Sequence, residues 1–182
     1  MLTDKNLEHM NLSSVKGFYG ELLLKQKLEN EGLSVTHRGK QSGYDLEFKL
    51  SKKDHPTKID VKTSLLKNEI DGDLYNWGWA LKSKNKKKIN CTHFCCIALD
   101  KKYRVNKYYI IQKKNLDKFP KSGIQQFKNV ERGLVILFSK LYPKLKTKVE
   151  RDYIDKSAKI IADKKIISIC DSNKNISTYF KS

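Results

Sequence analysis

Apolar residues recur at helical spacing near the start of the chain. Intervals of three and four residues separate them, which predicts a helix with one apolar face. Ser13 or Ser14 can cap its first turn, and Gly32 follows its expected end at Asn30. The apolar positions are Val15, Phe18, Leu22, Leu23 and Leu24.

The pattern then changes to alternation, which is typical of strands. Residues 44–50 alternate apolar and polar side chains, so they predict a strand with one apolar face. Residues 51–56 form a polar turn, and residues 58–63 form a returning strand with Ile59 and Val61 facing inward. Together they predict a β-hairpin.

Further apolar runs follow, separated by polar segments. Residues 65–90 have no clear period and are expected to be irregular, and residues 147–163 favour a helix. Residues 134–138 fit either a buried strand or a helix segment, and residues 115–133 indicate loops with a short helix. The other predicted strands span residues 33–37, 92–99, 104–111 and 165–170. We therefore expect one α/β domain over 1–182, with a mixed central β-sheet flanked by helices.

Composition points to a polyanionic partner. The chain of 182 residues has 38 Lys and Arg against 20 Asp and Glu, a formal net charge of +18. Most of the excess is lysine, which suits phosphate contacts better than bidentate reading of bases. The alternative is that abundant lysine reflects an AT-rich genome. No apolar run is long enough to span a membrane, and no signal-peptide pattern is visible, so a cytoplasmic location is expected.

The four cysteines show no disulfide spacing, and reduced thiols are expected. On a strand that begins at residue 91, the side chains of Cys91, His93 and Cys95 would share one face, which makes metal binding an alternative. Buried thiols packed as small apolar groups are the favoured interpretation.

Candidate chemistry lies on the hairpin. With its turn near Lys53 and Asp54, Asp45 falls opposite the region of Asp60 to Lys62, and residues two apart share a face. Two carboxylates so close repel each other unless a cation neutralises them. Mg²⁺ takes oxygen ligands, commonly one or two carboxylates with water and substrate phosphate. The hairpin therefore predicts a divalent-metal site beside an ammonium group.

Three further residues are candidates near this site. Glu21 lies beside Gly20 on a partly apolar helix stripe, so it is expected to face the protein as a third or water-mediated ligand. A surface ion pair with Lys25 is the alternative. Glu47 is an alternative ligand, and Ser64 shares the Asp60 face and is a candidate phosphate contact; solvated strand residues are the alternative for both.

The segments Gly20-Glu21, Gly43-Tyr44-Asp45 and 59–64 (Ile-Asp-Val-Lys-Thr-Ser) resemble the PD-(D/E)xK nuclease superfamily. That superfamily includes many restriction endonucleases and the archaeal Holliday-junction resolvases. The resemblance implies that Asp45 and Asp60 bind Mg²⁺, for which Mn²⁺ is expected to substitute. It also implies that Lys62 orients or activates the attacking water and that Glu21 assists the metal site. Tyr44 stands where the family name has proline.

Residues 65–90 are a possible DNA-contacting insertion. Its lysines can follow a phosphate backbone, although a solvated loop is an equal alternative. Tyr75, Trp77 and Trp79 can stack on unpaired bases, although anchoring the insertion on the core is favoured. The lysines are Lys82, Lys84, Lys86, Lys87 and Lys88.

The pattern as a whole predicts a Mg²⁺-dependent DNA endonuclease of restriction type, acting on double-stranded or branched DNA. A Holliday-junction resolvase-like nuclease is the first alternative, and a non-catalytic DNA-binding protein with the same fold is the second. A homodimer is expected, because duplex DNA offers two strands related by a two-fold axis.

Overall fold

The computed structural model describes residues 12–38, 43–66, 75–83, 90–118, 130–138 and 166–181. Helix α1 spans Leu12–Asn30, as the apolar spacing predicts. Gly32 ends it with φ of 86°, a left-handed conformation that glycine adopts without a steric penalty. The first helix is therefore confirmed, but its predicted start is wrong: the helix begins at Leu12, so Ser13 and Ser14 lie inside it and do not cap it.

Strands form a mixed sheet next to this helix. Six strands of the described ranges pair in the order β1-β2-β3-β5-β6-β8, where β3 and β5 are parallel and all other neighbours antiparallel. A separate antiparallel pair consists of β4 and β7. The predicted α/β class with a mixed sheet is confirmed. The strands are β1 Thr36–His37, β2 Leu46–Phe48, β3 Thr57–Leu65, β4 Tyr75–Ser83, β5 His93–Leu99, β6 Val105–Gln112, β7 Val130–Phe138 and β8 Ile167–Asp171.

The two faces of the sheet carry separate apolar cores. On one face Leu24 and Leu28 of α1 pack with Ile59 and Val61, and Phe180 of the 3-10 helix Ser177–Phe180 joins them. We call this the helix-side core. The second core, on the opposite face, contains residues from β4, β5, β6 and β8, including Trp79, Phe94, Cys96, Tyr109 and Ile167.

Gly20 sets how closely α1 approaches the sheet. A Cβ atom built on Gly20 would lie 1.8 Å from Thr63 Oγ1, far inside contact distance. The Thr63 hydroxyl is buried and has no hydrogen-bond partner in the described part of the chain. Glycine at this position therefore allows helix α1 to pack directly on strand β3, beside Glu21.

The insertion expected to be irregular contains a regular strand. Residues 75–83 form β4, which pairs with β7, and the segment 134–138 lies in β7 and is a strand. The Trp79 indole is 2% exposed and donates a hydrogen bond to the Ile97 carbonyl oxygen at 3.3 Å. Trp79 thus anchors β4 on the second core, and base stacking by this side chain was the wrong alternative.

Other predicted bounds shift by a few residues. The predicted strand at 33–37 is only Thr36–His37, and the strand predicted at 44–50 is only Leu46–Phe48. A 3-10 helix over Lys113–Lys118 follows β6. Strands were correctly predicted near 92–99, 104–111 and 165–170, while the helix predicted at 147–163 lies outside the described residues.

The cysteines are buried thiols. Cys91, Cys95, Cys96 and Cys170 are all free and buried. The strand begins at His93, so the alternation does not extend to Cys91. Cys91 packs in the second core, whereas Cys95 packs in the helix-side core. The alternative of a metal site on one shared face is therefore wrong.

In the ranges described above, no helix is both long and apolar enough to cross a membrane.

Candidate active site

The hairpin places two aspartates next to each other. Its register pairs Leu46 with Ile59, so the next position along each strand places Asp45 opposite Asp60. The Asp45 N–H donates to the Ile59 carbonyl at 2.8 Å, which fixes this end of the hairpin. The predicted opposition of Asp45 and Asp60 follows directly from the register.

The site lies where two strands separate. Strand β2 begins at Leu46, whereas β3 continues past Ile59 to Leu65 alongside β5. At the point of separation the Asp45 carboxylate accepts a hydrogen bond from the Val61 N–H at 2.7 Å. This contact satisfies a backbone donor and holds the Asp45 carboxylate beside β3.

Asp60 and Lys62 form an ion pair on the same strand face. The Lys62 ammonium donates to Asp60 Oδ1. The Asp60 side chain is 15% exposed and that of Lys62 is 34% exposed. Their partners on β5 are Phe94 and Cys96, both fully buried. A carboxylate and an ammonium group therefore lie at the border of an apolar core.

The environment disfavours the ionised form of both aspartates. Burial raises the pKa of Asp45, and nearby Glu21 adds to this, although the Val61 N–H, Lys62 and His37 act in the opposite direction. Burial also raises the pKa of Asp60, with a further contribution from Asp45, against the opposing effect of Lys62. The negative charge at the site is therefore only partly neutralised by the protein.

Lys62 keeps its proton in this environment. Burial lowers its pKa, but the Asp60 carboxylate, which it contacts, and the more distant Asp45 outweigh that effect and raise it. An ammonium with a raised pKa is a poor general base at neutral pH. Lys62 can therefore contribute positive charge and hydrogen bonds rather than remove a proton.

Glu21 approaches the site from α1. Its carboxylate lies 2.6 Å from His37 Nε2 on β1, and its charge acts on Asp45. Lys25, the alternative partner, pairs with Glu29 one turn further along the helix. The structure thus brings Glu21 near Asp45, while its role toward a metal stays a prediction.

Glu47 takes part in a different set of contacts. It accepts a hydrogen bond from Arg38 at 3.0 Å and another from the Tyr44 hydroxyl. Tyr44 packs against the second core, not beside Leu46 as alternation predicted, because the chain bends at residues 43–45. The Tyr44 hydrogen bond in particular lowers the pKa of Glu47, against the effect of burial.

The remaining predicted contacts lie on β3 and β4 or beyond the described part of the chain. Ser64 is 4% exposed, and its hydroxyl lies 3.5 Å from the Leu65 carbonyl oxygen. Lys82 lies on β4, paired with Arg132 of β7. Lys84 and residues 86–88 lie outside the described residues. Phosphate binding by these side chains stays a prediction.

The donor set fits a hard divalent cation with few protein ligands. Within the residues that the structure describes, no group of three or more His, Cys, Asp or Glu side chains is arranged to hold a metal ion. Mg²⁺ needs fewer, since one or two carboxylates commonly bind it together with water and phosphate. The half-buried and partly neutralised pair of Asp45 and Asp60 offers such oxygens.

Two contributors to the site were not predicted from the sequence. His37 pairs with Glu21 and packs edge-on against Phe18, with ring centroids 5.8 Å apart. The Val61 N–H fixes Asp45. No spacing signal marks either of them, because both contacts depend on how α1, β1 and β3 meet in three dimensions.

Comparison with known proteins gives weak structural likenesses. A bacterial homing endonuclease, I-Ssp6803I, is similar with a TM-score of 0.47 and 13% identity, covering 86% of this chain and 99% of that one. MepB is similar with a TM-score of 0.37 and 16% identity, covering 85% of this chain and 97% of that one. No family model matches the chain, and no curated protein matches its sequence. Because both TM-scores are below 0.5, the function is inferred from the site alone.

Proposed function

We propose that the protein is a Mg²⁺-dependent DNA endonuclease of PD-(D/E)xK type, with Asp45, Asp60 and Lys62 at its centre. The observation that supports this most is that Asp45 and Asp60 lie opposite each other, half-buried and beside the Lys62 ammonium. This environment raises the pKa of both aspartates and of the lysine. Uncompensated buried charge costs stability, so a fold retains it where a ligand supplies the missing charge.

Asp45 and Asp60 would hold Mg²⁺, with Mn²⁺ as a substitute because it also prefers oxygen ligands. Bound there, the ion would supply positive charge to the scissile phosphate and lower the pKa of water. Glu21 would hold a water of this site through its position beside Asp45.

Lys62 supplies the second positive charge. Its ammonium, oriented by Asp60, can donate hydrogen bonds to a phosphate oxygen or hold the attacking water in line. The raised pKa of Lys62 keeps this charge in place at neutral pH. Orientation and electrostatic stabilisation are therefore the proposed role, rather than proton abstraction.

The formal net charge of +18 supports a DNA substrate. Lysine–phosphate contacts release counterions, so affinity should fall steeply as salt rises. Affinity that hardly responds to salt would exclude the basic surface as the interface.

Cleavage assays test the proposal. The full chain is incubated with supercoiled plasmid and with a synthetic four-way junction, in Mg²⁺ or in EDTA. We expect Mg²⁺-dependent nicking that Asp60→Ala abolishes while DNA binding persists. Cutting confined to the junction would identify a resolvase-like enzyme. Binding without cleavage under all conditions would identify a non-catalytic DNA-binding protein and refute the proposal.

A further inference from the structure

A second site lies at the edge of the sheet, where β3 and β5 begin and β6 ends. A cavity of about 330 Å³ opens there, within the range of small-molecule sites. Thr57, Cys91 and His93 contribute buried side chains to it. The exposed residues that line it include His55, Lys113 and Lys114. We call this the His93 cavity.

Hydrogen bonds around Thr92 hold the His93 ring in place. The Thr92 hydroxyl donates to the Lys58 carbonyl oxygen at 3.0 Å and accepts from the Lys58 N–H at 3.0 Å. The same oxygen lies 2.9 Å from His93 Nδ1, and toward a ring that is protonated there it acts as the acceptor. With the ring proton on Nδ1, Nε2 carries a lone pair.

The second ring nitrogen of His93, Nε2, is buried. His93 is 5% exposed, and its Nε2 has no hydrogen-bond partner among the described residues. Burial lowers the pKa of His93 to about 4, and the charge of Lys114 contributes, so the ring is neutral at physiological pH. A buried ring nitrogen without a partner is costly, and in the Nδ1-protonated tautomer a ligand that presents an N–H group would satisfy it.

The His93 cavity adjoins the proposed catalytic residues. Thr92 is hydrogen-bonded to Lys58, two residues before Asp60 on β3. Burial raises the pKa of Cys91 to about 12, and the charges of Asp60 and Lys113 both act on this thiol. Cys91 therefore lies within electrostatic reach of both the carboxylate site and the lysines of the cavity.

We propose that the His93 cavity binds one unstacked nucleotide of the DNA next to the cut, with the ring of His93 protonated on Nδ1, a base N–H donating to His93 Nε2 and a phosphate near Lys113 and Lys114. This rests on the proposed function, since it assigns the substrate segment beside the scissile bond. A bare anion would satisfy the lysines but would offer Nε2 no N–H donor. Every DNA base offers an N–H donor, and the nucleotide also supplies the phosphate.

The substrate class follows from the cost of filling the cavity. Extruding a paired base costs a few kcal/mol, and the cost is smallest when the nucleotide is already unpaired. The protein should therefore prefer DNA that carries an unpaired nucleotide over the same duplex fully paired.

Binding assays in EDTA test this without cleavage. Fluorescence anisotropy compares the full chain on a duplex with one unpaired nucleotide and on the fully paired duplex. We expect a preference of about tenfold for the first, lost in His93→Phe, which keeps a ring but removes the acceptor. Lys114→Ala, at an exposed position, should also weaken the preference. Lys107→Ala, at the other end of β6, should not.

A second arm compares deoxynucleoside monophosphates with inorganic phosphate as competitors. Equal competition by phosphate alone would reduce the cavity to an anion site and overturn the proposal. An unchanged preference in both His93→Phe and Lys114→Ala would overturn it as well. If the protein shows the preference but never cuts DNA, the nucleotide-binding proposal stands and the nuclease proposal is refuted. If it cuts DNA without the preference, the nuclease proposal stands and the nucleotide-binding proposal is refuted.

Discussion

Partly buried carboxylates lie in two regions of this fold, and the protein neutralises them differently. Glu31, near the end of α1, has a side chain that is 5% exposed and lies 3.6 Å from Lys27. It accepts hydrogen bonds from the N–H groups of Ile176 and Ser177 at 2.7 and 2.8 Å. Burial opposes ionisation of Glu31, but these donors and Lys27 outweigh it and lower the pKa.

Asp45 and Asp60 each have fewer compensating contacts than Glu31, and each lies opposite the other's carboxylate. Burial raises both of their pKa values despite Val61 N–H and Lys62. The contrast separates two uses of a buried acid. Glu31 joins α1 to the C-terminal 3-10 helix, whereas the aspartate pair retains negative charge that a bound cation can neutralise.

Removing the ammonium at the site should give the largest effect. Lys62→Met keeps the length of the side chain and removes the charge that acts on the scissile phosphate. We expect cleavage to fall by on the order of 10²–10³-fold. Lys58→Met, on the same strand face, is the matched control and should change the rate of plasmid nicking only a few-fold. Equal losses in both variants would contradict a special role for Lys62.

Removing the Glu31 carboxylate should lower the stability of the fold rather than the rate of cleavage. Glu31→Ala leaves two backbone donors unpaired and should lower the free energy of unfolding by about 2–3 kcal/mol, while cleavage persists. Glu31→Gln retains an acceptor and should cost less, and Glu29→Ala, at an exposed position, should cost little. Urea unfolding followed by circular dichroism measures all three.

The Glu31 contribution should depend on pH with a definite sign. Its folded-state pKa is lowered, so its stabilising effect is present above the ordinary glutamate pKa and is lost as pH falls through the lowered value. The difference in stability between the unchanged chain and Glu31→Gln should therefore shrink in acid. A difference that grows in acid would contradict this assignment.

Helix α1 contributes residues to both regions. Substitutions at Gly17 and Gly20 test how closely this helix packs on β3. Gly20→Ala places a methyl group against Thr63 and should cost about 1–3 kcal/mol. Gly17→Ala meets no atom within 4 Å and should gain about 0.5–1 kcal/mol. Thermal unfolding of the pair measures this, and equal shifts would show that α1 does not pack closely on β3.

The smallest effect is expected from neutralising Asp45. Its folded-state pKa is raised, so protonation of Asp45 stabilises the fold. This contribution is complete below the ordinary aspartate pKa and is lost as pH rises through the raised value. In EDTA at neutral pH, Asp45→Asn should therefore unfold at a slightly higher temperature than the unchanged chain, since the amide still accepts from Val61. A lower unfolding temperature would show that the charge stabilises the empty site.

The sequence predicts local features of this site well. The alternation at 44–50 and the turn at 51–56 determine the hairpin register, and that register places Asp45 opposite Asp60. The helical spacing places Glu21 on a helix beside Gly20. These predictions depend on interactions between residues that are close in the chain, where periodicity is informative.

Long-range contacts explain what the sequence does not reveal. Strand β4 contains Gly78 and pairs with β7 more than 40 residues later along the chain, so no local period marks it. Tyr44 departs from the alternating face because the bend at 43–45 precedes β2. The pairing of Glu21 with His37 and the buried contacts of Trp79 likewise depend on tertiary packing.

Calorimetric titration with Mg²⁺ tests the central claim most directly. The unchanged chain and the Asp45→Asn/Asp60→Asn double variant are titrated at neutral pH without DNA, after circular dichroism has confirmed that both are folded. We expect saturable binding to the unchanged chain and no detectable binding to the double variant. Equal binding by both proteins, or by neither, would contradict a divalent-cation site formed by these two aspartates.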